Sequence, residues 1–297
     1  MTGSDGVLVV DKPPGPTSHD VVDRVRKAYG TRRVGHTGTL DPFATGVLAV
    51  CVGKATRLSR FLMEGEKVYV AGVRLGFSTT TDDFTGEALG PPQASAPERS
   101  VLEAACQRFV GPLEQVPPAY SAKRVAGRKM YELARTGKAI ERAASRVFIH
   151  AIRLGAAIGD SFEIEVRCSP GTYMRALARD FGEALGVGGH LVSLRRTRSG
   201  EFGLEGAVPW DDLVPAARNR LIPMARLLSH LPAVRVAPEG LQALGHGQTL
   251  VARQLLAALE FSAGQRVRIL DPTGELLALA VAENATLKPD VVLLESP

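Results

Sequence analysis

Alternating apolar and polar residues mark several segments of the chain as strands with one buried face. The segment Lys67–Leu75 places Tyr69 and every second residue after it on an apolar side. Residues 162–168 alternate in the same way between apolar and charged side chains. Residues 47–52 are apolar throughout, which is typical of a central strand that is covered on both faces. These segments predict a sheet in the first two thirds of the chain.

Three other segments repeat apolar residues at the spacing of an amphipathic helix. Ser18 is expected to cap the first helix at its N-terminus, and Gly30 is expected to end it. A glycine turn at Gly171 opens the last of the three helices, and Gly186 closes it. The helices are predicted over residues 19–29, 98–109 and 173–185.

The end of the chain has a strand pattern of its own, and a boundary before it is expected within residues 228–238. An Asp-Pro-Thr-Gly turn joins two of its strands. The strands are predicted at Arg266–Leu270, at residues 276–282 and at residues 291–294.

Helices and strands do not alternate strictly along the chain, which favours an α+β fold with a mostly antiparallel sheet. We expect one large domain over residues 1–230 and a small β-rich domain over residues 231–297. The smaller domain is too short to hold a large active site. The catalytic residues are therefore expected within residues 1–230.

Composition narrows the class of protein. The 297 residues are 45% hydrophobic and 23% charged, as in ordinary globular proteins. No apolar run is long enough to span a membrane, and the N-terminus lacks the pattern of a signal peptide. The scattered Cys51, Cys106 and Cys168 are typical of a reducing compartment, so a cytoplasmic protein is expected. No spacing of cysteines and histidines matches a metal site, so no metal is expected.

Positive charge is concentrated in one segment. Residues 116–146 carry eight basic and two acidic side chains, whereas the whole chain has a net charge of +5. The summed charge of all other residues is therefore close to zero. Such a segment indicates a polyanionic partner, although a solvated surface helix has the same composition. No heptad pattern stands out, so a monomer is expected.

The segment 35–48, with the sequence GHTGTLDPFATGVL, joins a polar loop to the apolar strand. It carries His36 and Asp41, and a loop that leads into a buried strand is a rigid support for a reactive side chain. A tight turn built around an Asp-Pro pair is the alternative interpretation of this segment taken alone. The nearby Gly-Lys-Ala-Thr of residues 53–56 is no phosphate loop, because Leu48 stands where that motif needs glycine.

Five segments resemble motifs of the TruB family, the bacterial tRNA pseudouridine-55 synthases, in the family's order. Together they spread over most of the first 200 residues. The tail resembles a PUA-type RNA-binding module more weakly. The five segments are DKPPGPTS at residues 11–18, GHTGTLDPFATGVL at residues 35–48, VPPAYSAKRVAGRKMYELARTG at residues 116–137, CSPGTYMRALARDFG at residues 168–182 and LRR at residues 194–196.

The resemblance implies a pseudouridine synthase fold, in which helices flank a mixed, mostly antiparallel sheet and a cleft crosses it. It also implies an isomerase that converts uridine 55 in the T-loop of tRNA to pseudouridine without cofactor or metal. The target base is stacked inside a folded loop, so such an enzyme must flip it out. The chain departs from the family at Thr80, where an aspartate is common.

The resemblance also assigns roles to single residues. Asp41 matches the family's nucleophile, which attacks either C6 of the base or C1′ of the ribose. Arg175 matches its arginine partner, and such a pair is expected to lower the pKa of Asp41 and to orient it. Tyr69 corresponds to the tyrosine that stacks on the flipped base and helps to remove the C5 proton. Leu194 matches an apolar residue beside the base, and His36 a histidine that fills the vacated site in the RNA or contacts phosphate.

The remaining expected contacts to RNA come from the basic segment 116–146, which resembles the family's RNA-gripping insertion. Tyr120 is expected to stack on a base there. Lys12, outside this segment, is expected to support the loop around the active site, and it is counted with the substrate-binding residues. The phosphate contacts are expected from Lys123, Arg124, Arg128 and Lys129.

Two other functions compete with this one. A non-catalytic protein that binds or folds RNA would also need the basic segment and the tail. A related isomerase that is directed by a guide RNA and partner proteins would share the catalytic residues. Mapping of modified uridines on unmodified tRNA separates the first alternative, and activity on an isolated T-arm stem-loop separates the second.

Overall fold

A computed structural model describes residues 5–93, 96–119, 124–125, 128–129, 142–213, 220–256 and 261–294 of the chain. Within these residues it contains two large sheets and a two-stranded hairpin. The strands are β1 Gly6–Lys12, β2 Val34–His36, β3 Thr45–Val52, β4 Lys67–Leu75, β5 Gly111–Gln115, β6 Arg124–Val125, β7 Arg128–Lys129, β8 Ser145–Ile158, β9 Ser161–Cys168, β10 Gly189–Ser199, β11 Phe202–Gly203, β12 Val208–Pro209, β13 Ile222–Pro223, β14 Ala233–Arg235, β15 Leu250–Val251, β16 Arg266–Leu270, β17 Leu276–Glu283 and β18 Thr286–Val292.

The described helices are fewer than the strands. Short 3-10 turns, of which Gly53–Leu58 is the longest described, connect several of the other elements. The α-helices are α1 Ser18–Tyr29, α2 Ser59–Met63, α3 Arg99–Arg108, α4 Met174–Ala184 and α5 Pro238–Gly245.

The first sheet has the strand order β12-β1-β3-β10-β4-β9-β8-β5, with β2, β11 and β13 paired off this path. Its pairs are antiparallel except β1 with β12 and β3 with β10. This confirms the expected α+β fold with a mostly antiparallel, mixed sheet. Strand β10 lies between β3 and β4, although five described strands, β5 to β9, separate it from β4 in the sequence. It therefore brings the loop before β3 close to the start of β4.

One face of this sheet is covered by α1, α3 and α4. Apolar side chains such as Val21, Leu102 and Phe181 pack from these helices onto the sheet core. Helix α4 lies close to β10, because a Cβ on Gly182 would lie 2.0 Å from the backbone nitrogen of Gly189. Any larger residue at this position would push the helix away from the sheet, and with it the side chains of its first turn.

Helix α1 begins differently from the prediction. Thr17, not Ser18, is its N-cap, and it forms a capping box with Asp20. The Ser18 hydroxyl donates instead to the carbonyl of Leu40 over 3.1 Å and accepts from the Leu40 N–H over 2.9 Å. The expectation that Ser18 caps the helix is therefore wrong, and Ser18 holds the loop next to Asp41. Gly30 ends the helix in a left-handed conformation, as expected.

The end of the chain forms a second sheet with the strand order β14-β16-β17-β18-β15. The strand expected at residues 291–294 is wrong in its bounds, because β18 spans Thr286–Val292. Leu276 and Leu279 from this sheet share a core with Phe61 and Leu62 of the first part of the chain. A separate core lies on the sheet's other side. The second sheet is thus fixed against α2.

Candidate active site

Asp41 and Arg175 form a bidentate ion pair. Arg175 Nε lies 3.0 Å from Asp41 Oδ2, and its Nη2 donates to Asp41 Oδ1 over 3.0 Å. The Arg175 side chain is only 7% exposed, whereas Asp41 keeps 31% of its surface open. The fork orients both carboxylate oxygens, because a guanidinium is planar and binds carboxylates in two places. The pair expected from the sequence is present.

Arg175 has a second acidic partner in Asp83. Its Nη1 lies 3.4 Å from Asp83 Oδ2 and donates to the carbonyl of Thr81 over 3.2 Å. Asp83 is in turn held by its neighbours, because the hydroxyl of Thr81 and the N–H of Thr85 donate to its Oδ1 over 2.7 and 2.9 Å. One buried arginine therefore joins the loop of Asp41 to the loop of Asp83.

The position of Arg175 comes from the start of α4. A positive charge in the first turn of a helix is unfavourable by itself, so the two carboxylates explain why it is tolerated there. Tyr173 precedes the helix, and the buried side chain of Gln115 binds both its N–H and its carbonyl, over 2.9 and 3.2 Å. Gln115 thereby ties the helix start to the end of β5.

Burial raises the pKa of the Asp41 carboxyl above its usual value. Arg175 acts in the opposite direction, but the negative charge of Asp83 adds to the effect of burial. Arg175 thus lowers the pKa of Asp41 as expected, but the unforeseen effect of burial is larger and sets the net direction. Sequence motifs locate the arginine, but the extent of burial follows only from the folded chain.

A pocket of about 360 Å³ opens beside the ion pair. Tyr69 is 8% exposed and Leu194 is 7% exposed, and both contribute to its lining. A pocket of this volume can accommodate a group with a single planar ring. The structure therefore places four of the expected residues around one space, and these are Asp41, Tyr69, Arg175 and Leu194.

Lys12 does not reach this pocket. It is fully buried, and its Nζ donates to the carbonyls of Pro13 and Pro42 over 2.8 and 3.0 Å. Burial lowers its pKa to about 8, while Asp41 acts in the opposite direction. The ammonium group of Lys12 thus lies against the loop of Asp41, which it was expected to support, and Lys12 is not among the residues that line the pocket.

His36 ends β2 and is half-buried. Its Nδ1 accepts the N–H of Gly38 over 3.3 Å. Burial lowers the pKa of the ring, and the charge of Arg196 lowers it further. The imidazole is therefore neutral near pH 7, which favours filling space over a charged contact with phosphate.

The basic segment 116–146 lies largely outside the described residues. Tyr120 and Lys123 lie outside the described residues, and of Arg124, Arg128 and Lys129 only the backbone is described, in the β6–β7 hairpin. At the segment's ends, Arg179 of α4 donates to the carbonyl of Val116 over 3.2 Å.

Sequence reasoning missed Asp83, which lies three residues after Thr80, where the chain departs from the family. The signal was Arg175 itself, because a buried arginine with five donors needs more than one acceptor. It also gave no role to Lys67 and Arg196, which line the pocket. Burial lowers the pKa of Lys67 to about 8. Lys67 appears in the sequence as the first position of an alternating strand, and Arg196 as the last position of the LRR motif.

The described residues contain neither a membrane-spanning helix nor a cluster of metal-binding side chains. No described helix is both long and apolar enough to cross a membrane. No group of three or more His, Cys, Asp or Glu side chains in the described part of the chain is arranged to hold a metal ion.

Comparison with protein families finds two matches that follow each other along the chain. Residues 26–174 match the "TruB family pseudouridylate synthase (N terminal domain)", and residues 175–229 match the "tRNA pseudouridylate synthase B C-terminal domain". The second match ends shortly before β14, where the second sheet begins.

Curated relatives cover almost the same length. A tRNA pseudouridine synthase B from Chromohalobacter salexigens is 47% identical over 251 residues, which is 83% of this chain and 82% of the relative. One from Burkholderia mallei is 43% identical over 290 residues and covers 96% of each chain.

Solved structures show a similar fold. A chain of a Cbf5-Nop10-Gar1 complex superimposes with a TM-score of 0.75 and 29% identity, covering 98% of this chain and 85% of its own length. A chain of an H/ACA RNP bound to a substrate RNA containing 2'-deoxyuridine also has a TM-score of 0.75, with 28% identity, and covers 98% of this chain and 86% of its own length.

Proposed function

The chain belongs to the TruB family of pseudouridylate synthases, and we infer from this that it is an isomerase that converts uridine to pseudouridine in tRNA. The observation in this chain that supports the inference is the bidentate Asp41–Arg175 ion pair beside a pocket that can hold a single ring. A protein that only binds RNA has no need of a buried guanidinium that aims a carboxylate into a pocket.

The reaction breaks the C–N glycosidic bond, turns the base and forms a C–C bond to the same ribose. Asp41 is the proposed nucleophile, because a carboxylate can add covalently and leave again. Its attack is directed at C6 of the base or at C1′ of the ribose. Arg175 holds the carboxylate in one orientation, so that little ordering is needed when the substrate arrives.

The target base must leave the RNA stack before Asp41 can reach it. We propose that Tyr69 stacks on the flipped uracil, that Leu194 packs beside it, and that the Tyr69 hydroxyl helps to remove the C5 proton. The neutral ring of His36 is proposed to fill the space that the base vacates in the RNA. These roles are consistent with the places of Tyr69 and Leu194 in the pocket lining.

The proposed target is uridine 55 in the T-loop, with the T-arm as the unit of recognition. The basic segment 116–146 is proposed to bind its phosphates, since eight basic residues there oppose two acidic ones. The division into a catalytic domain over residues 1–230 and a PUA-like RNA-binding domain over residues 231–297 is proposed as well. We also propose that the protein acts as a monomer in the cytoplasm.

An isolated T-arm stem-loop should be modified by this protein alone, and the rate at low substrate concentration should fall steeply as salt rises. Each phosphate contact releases a counterion, so the apparent affinity decreases with a log–log slope of about −0.7 to −0.9 per contact. Position-resolved pseudouridine mapping over a salt series measures both effects. A matched stem-loop with cytidine at the target position is the control. Activity only in the presence of a guide RNA or partner proteins would contradict the proposal.

As the pH is lowered, the rate of pseudouridine formation should begin to fall at a higher pH than it would with an aspartate of ordinary pKa. Only the ionised carboxylate is nucleophilic, and burial raises the pKa of Asp41 above 3.8. Below that raised pKa the Asp41 carboxylate is protonated and activity is lost, which gives the pH profile its acid limb. Asp83→Asn removes a negative charge near Asp41, so its acid limb should move to lower pH even though its maximal rate falls. Single-turnover rates from pH 4 to pH 8 measure this, with the exposed Asp160→Asn as control. An unchanged acid limb in Asp83→Asn would contradict the assignment of that limb to Asp41.

A further inference from the structure

Arg196 is a buried cation whose described partners are all neutral. It is 2% exposed and lies in β10 directly opposite Tyr69 of β4. On its other side it is paired with Gly46 of β3. The two backbones meet there so closely that a Cβ on Gly46 would lie 2.1 Å from the Arg196 carbonyl oxygen. Arg196 is thus fixed between the strand of Tyr69 and the strand that follows the loop of Asp41.

The guanidinium of Arg196 binds the loop of Asp41 and the strand that follows it. Its Nε donates to the carbonyl of Val47 over 2.7 Å, its Nη1 to the carbonyl of Thr39 over 3.4 Å and its Nη2 to the carbonyl of Gly38 over 3.0 Å. Tyr69 lies opposite Arg196 on the neighbouring strand and lines the same pocket.

No carboxylate within the described ranges pairs with Arg196. A buried charge without a counterion is costly, so its retention in a well-packed sheet calls for an explanation. An apolar residue of similar volume would pack equally well at position 196. The three hydrogen bonds to the loop and to β3 supply a reason that requires a guanidinium, because five N–H donors in one plane span acceptors that a single ammonium group cannot reach together.

We propose that Arg196 is a positioning residue that fixes the spacing between the Tyr69 ring and the loop of Asp41, and so the width of the space for the flipped uracil. This rests on the proposed roles of Asp41 and Tyr69. Asp41 lies two residues after Thr39, whose carbonyl Arg196 holds, and both Asp41 and Arg196 line the pocket. The charge of Arg196 also opposes the effect of burial, which raises the pKa of Tyr69.

The test is Arg196→Lys, which keeps the positive charge but cannot donate to the three carbonyls together. We expect the single-turnover rate at saturating tRNA to fall about 100-fold, as a misplacement of about 1 Å does. The tRNA affinity should stay within a few-fold and the melting temperature should remain well above that of the assay. The matched control is Arg195→Lys, the same change at the next position, where the side chain is 41% exposed and pairs with Asp11. It should keep the wild-type rate within a few-fold.

A coupling experiment separates positioning from general packing. Tyr69→Phe keeps the ring but removes the hydroxyl, on which the charge of Arg196 acts. If Arg196 acts through this hydroxyl, the double variant Tyr69→Phe/Arg196→Lys should be no more than about 3-fold slower than the slower single variant. Rate losses that multiply would overturn the proposal, since they mean that Arg196 acts independently of Tyr69. A wild-type rate in Arg196→Lys would also overturn it.

If Arg196→Lys does not fold, Arg196→Gln replaces it, because the amide keeps a donor near the carbonyl of Val47. The same expected rate loss and the same overturning outcomes apply to this variant. Asp41→Asn is measured in parallel. Turnover by Asp41→Asn refutes the proposed nucleophile, whereas an inactive Asp41→Asn beside a fully active Arg196 variant refutes the positioning role alone.

Discussion

An Asp41→Asn variant should form no measurable pseudouridine, while it binds tRNA within a few-fold of the wild-type affinity. Removal of a covalent nucleophile lowers the rate of the chemical step by about 10⁴-fold or more. The asparagine amide has nearly the same shape and keeps one oxygen to accept from Arg175, so the fold of the pocket should persist. Single-turnover mapping of modified uridines measures the loss, and filter binding measures the affinity.

The control for this experiment is Asp23→Asn, an exposed aspartate on α1 that pairs with Arg26. Exposed ion pairs contribute little to stability, so this variant should match the wild type in rate and affinity. Substantial turnover by Asp41→Asn would end the assignment of the nucleophile. A joint loss of rate and binding would instead indicate that Asp41 serves the fold of the loop.

Replacing Arg175 with methionine should lower the rate about 100- to 1000-fold, the range seen when an electrostatic group of an active site is removed. Asp41 and Asp83 would then face each other without the cation between them. The pKa of Asp41 should rise further, since Arg175 is the first group that opposes the effect of burial. The acid limb of the rate should therefore move to higher pH, which is the opposite direction to that expected for Asp83→Asn.

Arg175→Lys should retain part of the activity, because it keeps the charge but loses the two-pronged contact with Asp41. Arg179→Lys provides the matched control one helical turn later, where Arg179 pairs with Asp82 over 2.9 Å. Rates, pH profiles and thermal unfolding of the three variants distinguish the explanations. An Arg175→Met variant with an unchanged pH profile would show that Arg175 does not govern the ionisation of Asp41.

Prediction from the sequence succeeded where the signal is local. The alternation in Lys67–Leu75 predicted β4 with its observed bounds, and Arg266–Leu270 predicted β16 in the same way. The helix expected over residues 173–185 is observed as Met174–Ala184. Periodicity works for these elements because one buried face repeats at the spacing of the element itself.

The same reasoning failed where a side chain has two possible partners. Ser18 was a good candidate for a helix cap, yet the cap is Thr17 and the Ser18 hydroxyl binds Leu40 instead. Both residues carry a hydroxyl at the right place in the sequence. The choice between them depends on a loop that begins more than ten residues later, and no local pattern reports it.

The sequence by itself determined part of the elements, and its resemblance to the motifs of a known family determined the family and the expected pairing of Asp41 with Arg175. These follow from short motifs and from spacings along a single segment. Only the tertiary structure decided that Asp83 shares Arg175, that burial raises the pKa of Asp41, and that Arg196 binds the loop of Asp41 from a position opposite Tyr69. Each of these depends on distances between segments that are remote in the chain, and on the exclusion of water, which arises only when the sheet and helices pack together.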